Sequence, residues 1–253
     1  MTTKTHMAAP KHTLSKLLAA ALTLALGSLL AGCGGGGGGS ASGPTIDPAQ
    51  LKGRWVTAAG VAPATTAVVV PDANGAANAW LLAQDASRLV KLVVRSDSSA
   101  NGKTYALGQG NATGQAVTGQ VTTALAASPK TIAFTGLNTG TLTQSDALST
   151  PAVQANVAGN WSATSGGNAQ TTQWSLTAAG GLTGSSTTGC TYVGSVAALA
   201  GTAAYGVGFS ESCADGSKTT FSGIGTLNAA KSGLTVVVTS ADESRGAAVF
   251  LAK

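Results

Sequence analysis

Apolar residues recur at every second position over short runs along most of this chain, and turn dipeptides interrupt them about every 8–14 residues. Between Arg88 and Ser96, Val90, Leu92 and Val94 alternate with Leu89, Lys91, Val93 and Arg95, and the two charges mark the second side as the wet one. Leu234, Val236 and Val238 alternate with Thr235, Val237 and Thr239 in the same way. Asn74-Gly75, Asn101-Gly102, Gly180-Gly181 and Gly201-Thr202 read as turns between such runs. No segment after the N-terminal region has an apolar period of 3.6 with caps, so the pattern predicts an all-β antiparallel meander from about Ala49 onward.

The sharpest local expectation is a hairpin centred on Gly201-Thr202, with Gly at the first position of a two-residue type II′ loop. Pairing about that centre sets Val196 opposite Val207, Gly194 opposite Phe209, Tyr192 opposite Glu211 and Cys190 opposite Cys213. Two directly opposed cysteines lie within disulfide reach. Cys190 and Cys213 are therefore expected to bridge, with two free thiols as the alternative. Closing about 24 residues this way adds roughly 3 kcal/mol of stability. The parity of Glu211 matches that of Phe209, so Glu211 sits at a barrel mouth or the strand is already ending there; the second is favoured.

The pattern also hints at duplication. Leu51-Lys52-Gly53-Arg54-Trp55 and Val157-Ala158-Gly159-Asn160-Trp161 each open a β-rich stretch. Lys130–Gly136 echoes Lys218–Gly223, and Gly-Thr-Leu follows each, at Gly140–Leu142 and Gly225–Leu227. Chance similarity in a Gly/Thr-rich chain is the alternative.

The N-terminal region is of a different kind. Residues 1–16 are polar and basic, and Leu17–Leu30 is an apolar run of about 14 residues, short of the roughly 20 a spanning helix needs. Either Met1 or Met7 could serve as the start. Leu29-Leu30-Ala31-Gly32-Cys33 resembles the lipobox of bacterial lipoproteins at every position. That resemblance implies diacylglycerol on Cys33, cleavage before it and acylation of the new N-terminus, with more than one acyl chain making a stable anchor. Gly34 follows in place of the Asp that holds members of this family at the inner membrane, so the resemblance points to the outer membrane. Gly34–Gly39 and the Ser/Gly/Pro stretch after it read as a flexible tether with a reach of roughly 20 Å. Cys followed at once by glycines is similar to the layout of surface lipoproteins that bind factor H or transferrin.

Gly53-x-Trp55 and Gly159-x-Trp161, each opening a meander of short strands, resemble the calycin barrels (lipocalins and avidin-like proteins), in which the Trp plugs one end. The Thr-Asp-Tyr element of lipocalins is absent, which leaves a ligand pocket open to question. Barrel closure removes exposed strand edges, which a chain so rich in β-formers needs.

Removing residues 1–32 takes away His6, His12 and the three lysines Lys4, Lys11 and Lys16, and lowers the net charge from +5 to +2. Nucleic acid is accordingly not an expected partner. The remaining chain has no histidine, which excludes Ser-His-Asp and Cys-His catalysis and histidine metal sites. Gly102-Lys103-Thr104 mimics the end of a phosphate-binding loop, but Asp97 stands where its first glycine belongs and a strand follows. Asp47, Asp72, Asp85, Asp97, Asp146, Asp215, Asp242 and Glu243 mostly neighbour Gly, Asn or Ser and read as turn residues. Trp55, Trp161 and Trp174 read as core; Trp80 is set apart as a possible ligand or partner contact.

These readings divide the chain into a signal peptide (1–32), a lipidated Cys33 with its tether (33–48), a first barrel (49–142), a linker (143–156) and a second barrel (157–253). The expected function is a non-enzymatic, lipid-anchored cell-envelope lipoprotein acting as a surface or periplasmic binding or interaction module, its macromolecular partner unknown. The alternative is a calycin-like carrier of a small apolar ligand inside a barrel. Neither a cofactor nor a metal is expected.

Overall fold

Sixteen strands form two closed eight-stranded barrels in tandem in the computed structural model, which describes residues 45–58, 60–108, 112–165 and 170–253. The signal peptide, the lipobox, Cys33 and nearly all of the tether lie outside the described residues. The first barrel comprises β1 (Gly53–Thr57), β2 (Thr65–Pro71), β3 (Ala77–Ala83), β4 (Arg88–Val94), β5 (Ser99–Ala106), β6 (Gln115–Ala124), β7 (Thr131–Phe134) and β8 (Thr141–Ser145). The second comprises β9 (Gly159–Ser165), β10 (Gln170–Leu176), β11 (Gly181–Ser186), β12 (Cys190–Ala198), β13 (Ala204–Cys213), β14 (Lys218–Leu227), β15 (Gly233–Ser240) and β16 (Gly246–Ala252). Every neighbouring pair is antiparallel and consecutive, and β1–β8 and β9–β16 close the two rings. Both barrels belong to one compact unit, and each has its own core, the condition for folding apart from the leading segment.

Alternation builds these cores. Ala67, Val69, Leu81, Val90, Leu92 and Leu142 point into the first barrel, and Leu182, Val196, Val207, Val236, Val238 and Leu251 into the second. A 3-10 turn (Pro48–Leu51) leads into β1 and a one-turn helix, α1 (Gln154–Val157), leads into β9. In each barrel the tryptophan of the opening motif is fully buried. Trp55 donates its indole N–H to the Leu51 carbonyl, and Trp161 donates to that of Val157, both at 2.8 Å. Gly53 and Gly159 adopt nearly the same left-handed-region φ, 131° and 125°. The duplication is thus real at its openings. The later echo is not equivalent: Lys130–Gly136 contains β7, the seventh strand of its barrel, whereas Lys218–Gly223 opens β14, the sixth of its own.

The hairpin register is the expected one: Tyr192 opposes Glu211, Val196 opposes Val207, and Cys190 opposes Cys213 with Cα atoms 3.9 Å apart in a disulfide. The turn itself is different. Leu199 pairs with Ala204, and the Thr202 N–H closes on the Leu199 carbonyl, so Gly201 (φ 67°) is the third residue of a turn within a four-residue loop. Both loops share one centre, which is why the pairing survives the change of turn.

Three other expectations are corrected. Asn101-Gly102 is not a turn but the middle of β5; the chain reverses at Arg95–Ser98 instead. Gly102 is required there because a Cβ would run into the Lys91 carbonyl of β4. The proposed linker 143–156 gives Thr143–Ser145 to β8 and Gln154–Asn156 to α1. Gln154 draws its end of the linker onto the second barrel, donating to Val196 O at 2.9 Å and accepting from Ala198 N at 2.7 Å. Finally, the supposed wet side of β4 is partly dry. Leu89 is fully buried between the barrels, with Val70, Trp80 and Tyr105 from the first and Ala204, Ile224 and Val237 from the second.

Backbone pairing reinforces this interface. Thr113 bridges Arg245, Gly114 N–H donates to Ser244 O at 2.8 Å, and Gly246 N–H donates to Ala112 O at 3.2 Å. Gly246 admits the ring of Tyr105, which any Cβ there would strike.

Candidate functional site

The acidic residues act on the backbone around them. Asp47, Asp72, Asp85, Asp97, Asp215 and Asp242 each accept a hydrogen bond from the backbone N–H two residues on. Hydrogen bonds from Ser240 and Ser244 hold the Asp242 carboxyl down to about 2, and similar bonds from Ser87, Ser99 and Ser217 lower Asp85, Asp97 and Asp215. Such groups stay ionised and are tied into turns, the opposite of what a general acid requires.

Glu211 is placed at a barrel mouth. β13 continues through Cys213, so the strand does not end at Glu211, and its side chain shares the inward parity of Val207 and Phe209. It lies beside Tyr192 and the disulfide, above an aromatic group in which Phe209 contacts Trp174, Tyr192 and Phe221 at centroid distances of 5.2, 5.8 and 5.3 Å. Burial raises the Tyr192 hydroxyl above its ordinary value. Cys190, Glu211 and Cys213 place ligand-type atoms within 4.8 Å of one another, but both sulfurs are consumed by the disulfide.

Open space lies between the barrels. In the first barrel, Ser145, Arg54, Val68, Trp80, Lys91 and Lys103 form one lateral row on the outer face, each in register with the next. The second barrel faces this row with outward residues of β14–β16. At one end the row is sealed. Lys91 pairs with Glu243 at 2.5 Å and lies 5.3 Å from the Trp80 ring centre, and Lys103 donates to the Glu243 carbonyl at 3.0 Å. Tyr105 donates to that same carbonyl, and burial together with Glu243 and Asp242 pushes its hydroxyl up to about 12.

At the other end Arg54 stands where three grooves meet. One, of about 410 Å³, has Arg54 as its one charged lining residue and runs past Val68, Trp80, Leu82, Ile224, Val237 and Phe250, with Thr66, Gln84, Thr226 and Thr235 on the same wall. The other two, of about 190 and 630 Å³, carry the further charges Lys52, Asp146 and Lys231 and run along Ser145, Ser149 and Asn156. Arg54 is half-buried and donates to Ser145 Oγ at 3.0 Å; burial lowers its pKa. Among the described residues the one ion pair is Lys91–Glu243, so this guanidinium has no carboxylate partner.

Trp55, Trp161 and Trp174 lie in the barrel cores; Trp80, set apart in the sequence, is also buried, in the cluster between the barrels, with an edge on the groove. Arg54 escaped notice because it sits inside the opening motif. The signal was its departure from the repeat: Asn160 occupies the matching place in the second barrel.

The chain matches no protein family and no curated protein. Among solved structures it is similar to a Bacteroides fragilis protein provisionally assigned to the outer membrane, with 14% identity over 82% of this chain and 100% of that one. The TM-score of 0.23 is too low for that likeness to carry any argument about fold, location or activity.

Proposed function

We propose that the chain is an exported lipoprotein, acylated at Cys33 and held at the outer membrane, whose paired barrels serve binding and not catalysis. The observation that carries this reading is where the free volume lies. Each barrel interior is packed with its own buried core, while the grooves open between the barrels around an unneutralised Arg54. Filled eight-stranded barrels are scaffolds, so recognition falls to their outer faces. The packed interiors also weigh against carriage of an apolar ligand inside a barrel. Supporting the anchor are the lipobox ending at Cys33 and the glycine run after it.

Cells expressing the chain and fed an alkyne fatty acid test the anchor. The wild type should be labelled and sediment with the outer membrane, and Cys33→Ala should be neither. Equal labelling of the two forms would refute acylation at Cys33. Protease shaving of intact against ruptured cells then tells a host-facing protein from a periplasmic one.

A further inference from the structure

We infer that the groove between the barrels binds an anionic amphiphile, a carboxylate on a single acyl chain, with Arg54 on the carboxylate and the chain along the arm past Trp80, which carries no other charge. The inference deepens the binding reading above and is independent of the acylation of Cys33.

The argument begins with the two ends of the outer row on the first barrel. Lys91 and Lys103 occupy one end, and the β15–β16 turn of the second barrel satisfies both with the Glu243 carboxylate and carbonyl. Arg54 occupies the other end, and there, among the described residues, the second barrel brings no acid into contact. A guanidinium already stripped of part of its water offers a fork of N–H donors, of which one bond, to Ser145 Oγ, is made within the protein. That fork matches a carboxylate, and the missing hydration strengthens the pairing. Lys52 and Lys231 line the charged arms and add positive charge, against a single acid, Asp146.

The arm past Trp80, where Arg54 is the one charged lining residue, defines the rest of the ligand. Val68 and Trp80 follow Arg54 directly in the row, and Ile224 and Val237 face them from the second barrel. Phe250 is 51% exposed on the rim of this arm, and Val153 is 53% exposed on the wall of a charged one. They are two of the four large apolar side chains left exposed among the described residues. An apolar body there would cover Phe250, as burial of apolar surface favours. The 410 Å³ of the arm falls in the usual range for small-ligand sites, roughly 300–1,000 Å³.

The test uses the chain from Thr45 onward and 11-bromoundecanoate, whose bromine quenches a nearby indole. Trp80 is the one tryptophan on the groove, because Trp55, Trp161 and Trp174 lie in the barrel cores. Saturable quenching is expected, absent in Trp80→Phe. Arg54→Gln should weaken binding about tenfold, the value of one charge-assisted contact, as should replacing the acid with 11-bromoundecanol. Phe250→Ser should weaken it severalfold with the thermal midpoint unchanged, which separates loss of the site from loss of the fold. No saturable quenching, equal affinity for acid and alcohol, unchanged binding in Arg54→Gln, or quenching that persists in Trp80→Phe would each overturn the assignment.

Discussion

Lys91 of the first barrel and Glu243 of the second form an ion pair at 2.5 Å, on the rim of an apolar contact that includes Leu89 and Tyr105. Their side chains are 18% and 37% exposed, so water screens the pair and its net contribution is about 1 kcal/mol or less. The apolar contact beneath it carries most of the attachment. Glu243→Gln should therefore lower stability by no more than about 1 kcal/mol in urea unfolding. Leu89→Ala should cost about 2–4 kcal/mol, because it opens a cavity where no solvent reaches. If Glu243→Gln proved the more damaging, the interface would be held mainly by charge.

The indoles of Trp55 and Trp161 make the same bond in two separate cores. Trp55→Phe and Trp161→Phe each lose that hydrogen bond and part of the buried ring, at about 2–3 kcal/mol apiece. Because each ring belongs to a different core, the losses should add in the double variant to within about 0.5 kcal/mol. Denaturant midpoints of the four forms give the comparison, and strong non-additivity would show the cores to be coupled.

Gly102 and Gly108 should answer differently to alanine. At Gly102 a Cβ meets the Lys91 carbonyl, so β4 and β5 must part, at about 3 kcal/mol. At Gly108 there is open space and only a φ of 83° to oppose the change, about 1 kcal/mol. Hydrogen exchange of the β4 and β5 amides would show the opening in Gly102→Ala and none in Gly108→Ala.

Tyr105 makes stability sensitive to high pH. In the unfolded chain its hydroxyl ionises near 10, whereas in the folded protein burial and the nearby acids hold the proton to about 12. Between those values the unfolded state binds fewer protons, so stability falls as pH rises, by about 2 kcal/mol from this group alone. Below pH 10 the group contributes no slope. Tyr105→Phe should flatten the decline between pH 10 and 12 without abolishing it, because Tyr192 and Tyr205 are shifted upward as well. An unchanged slope would remove Tyr105 as its source.

Much of the fold was legible because it is local. Period-two alternation marks which side of a strand is inward, and a hairpin centre sets every pair along two strands. Cys190 and Cys213 could thus be placed opposite each other from residue numbers alone, although Gly201 takes another place in the turn. The opening motifs around Trp55 and Trp161 likewise announced two equivalent barrels.

What only the tertiary structure decided is what covers an outward face. Leu89 and Lys91 share the side of β4 that the charges mark as solvated, and nothing within β4 reveals that Ile224 and Val237 lie against it. Asn101-Gly102 has the composition of a turn, and only the approach of the Lys91 backbone shows why glycine stands in mid-strand. Arg54 reads as an ordinary surface charge until the second barrel closes three grooves upon it and brings no acid. Pairing within a strand meander is fixed by near neighbours in sequence, whereas contacts between two barrels join residues more than a hundred positions apart, which no local period encodes.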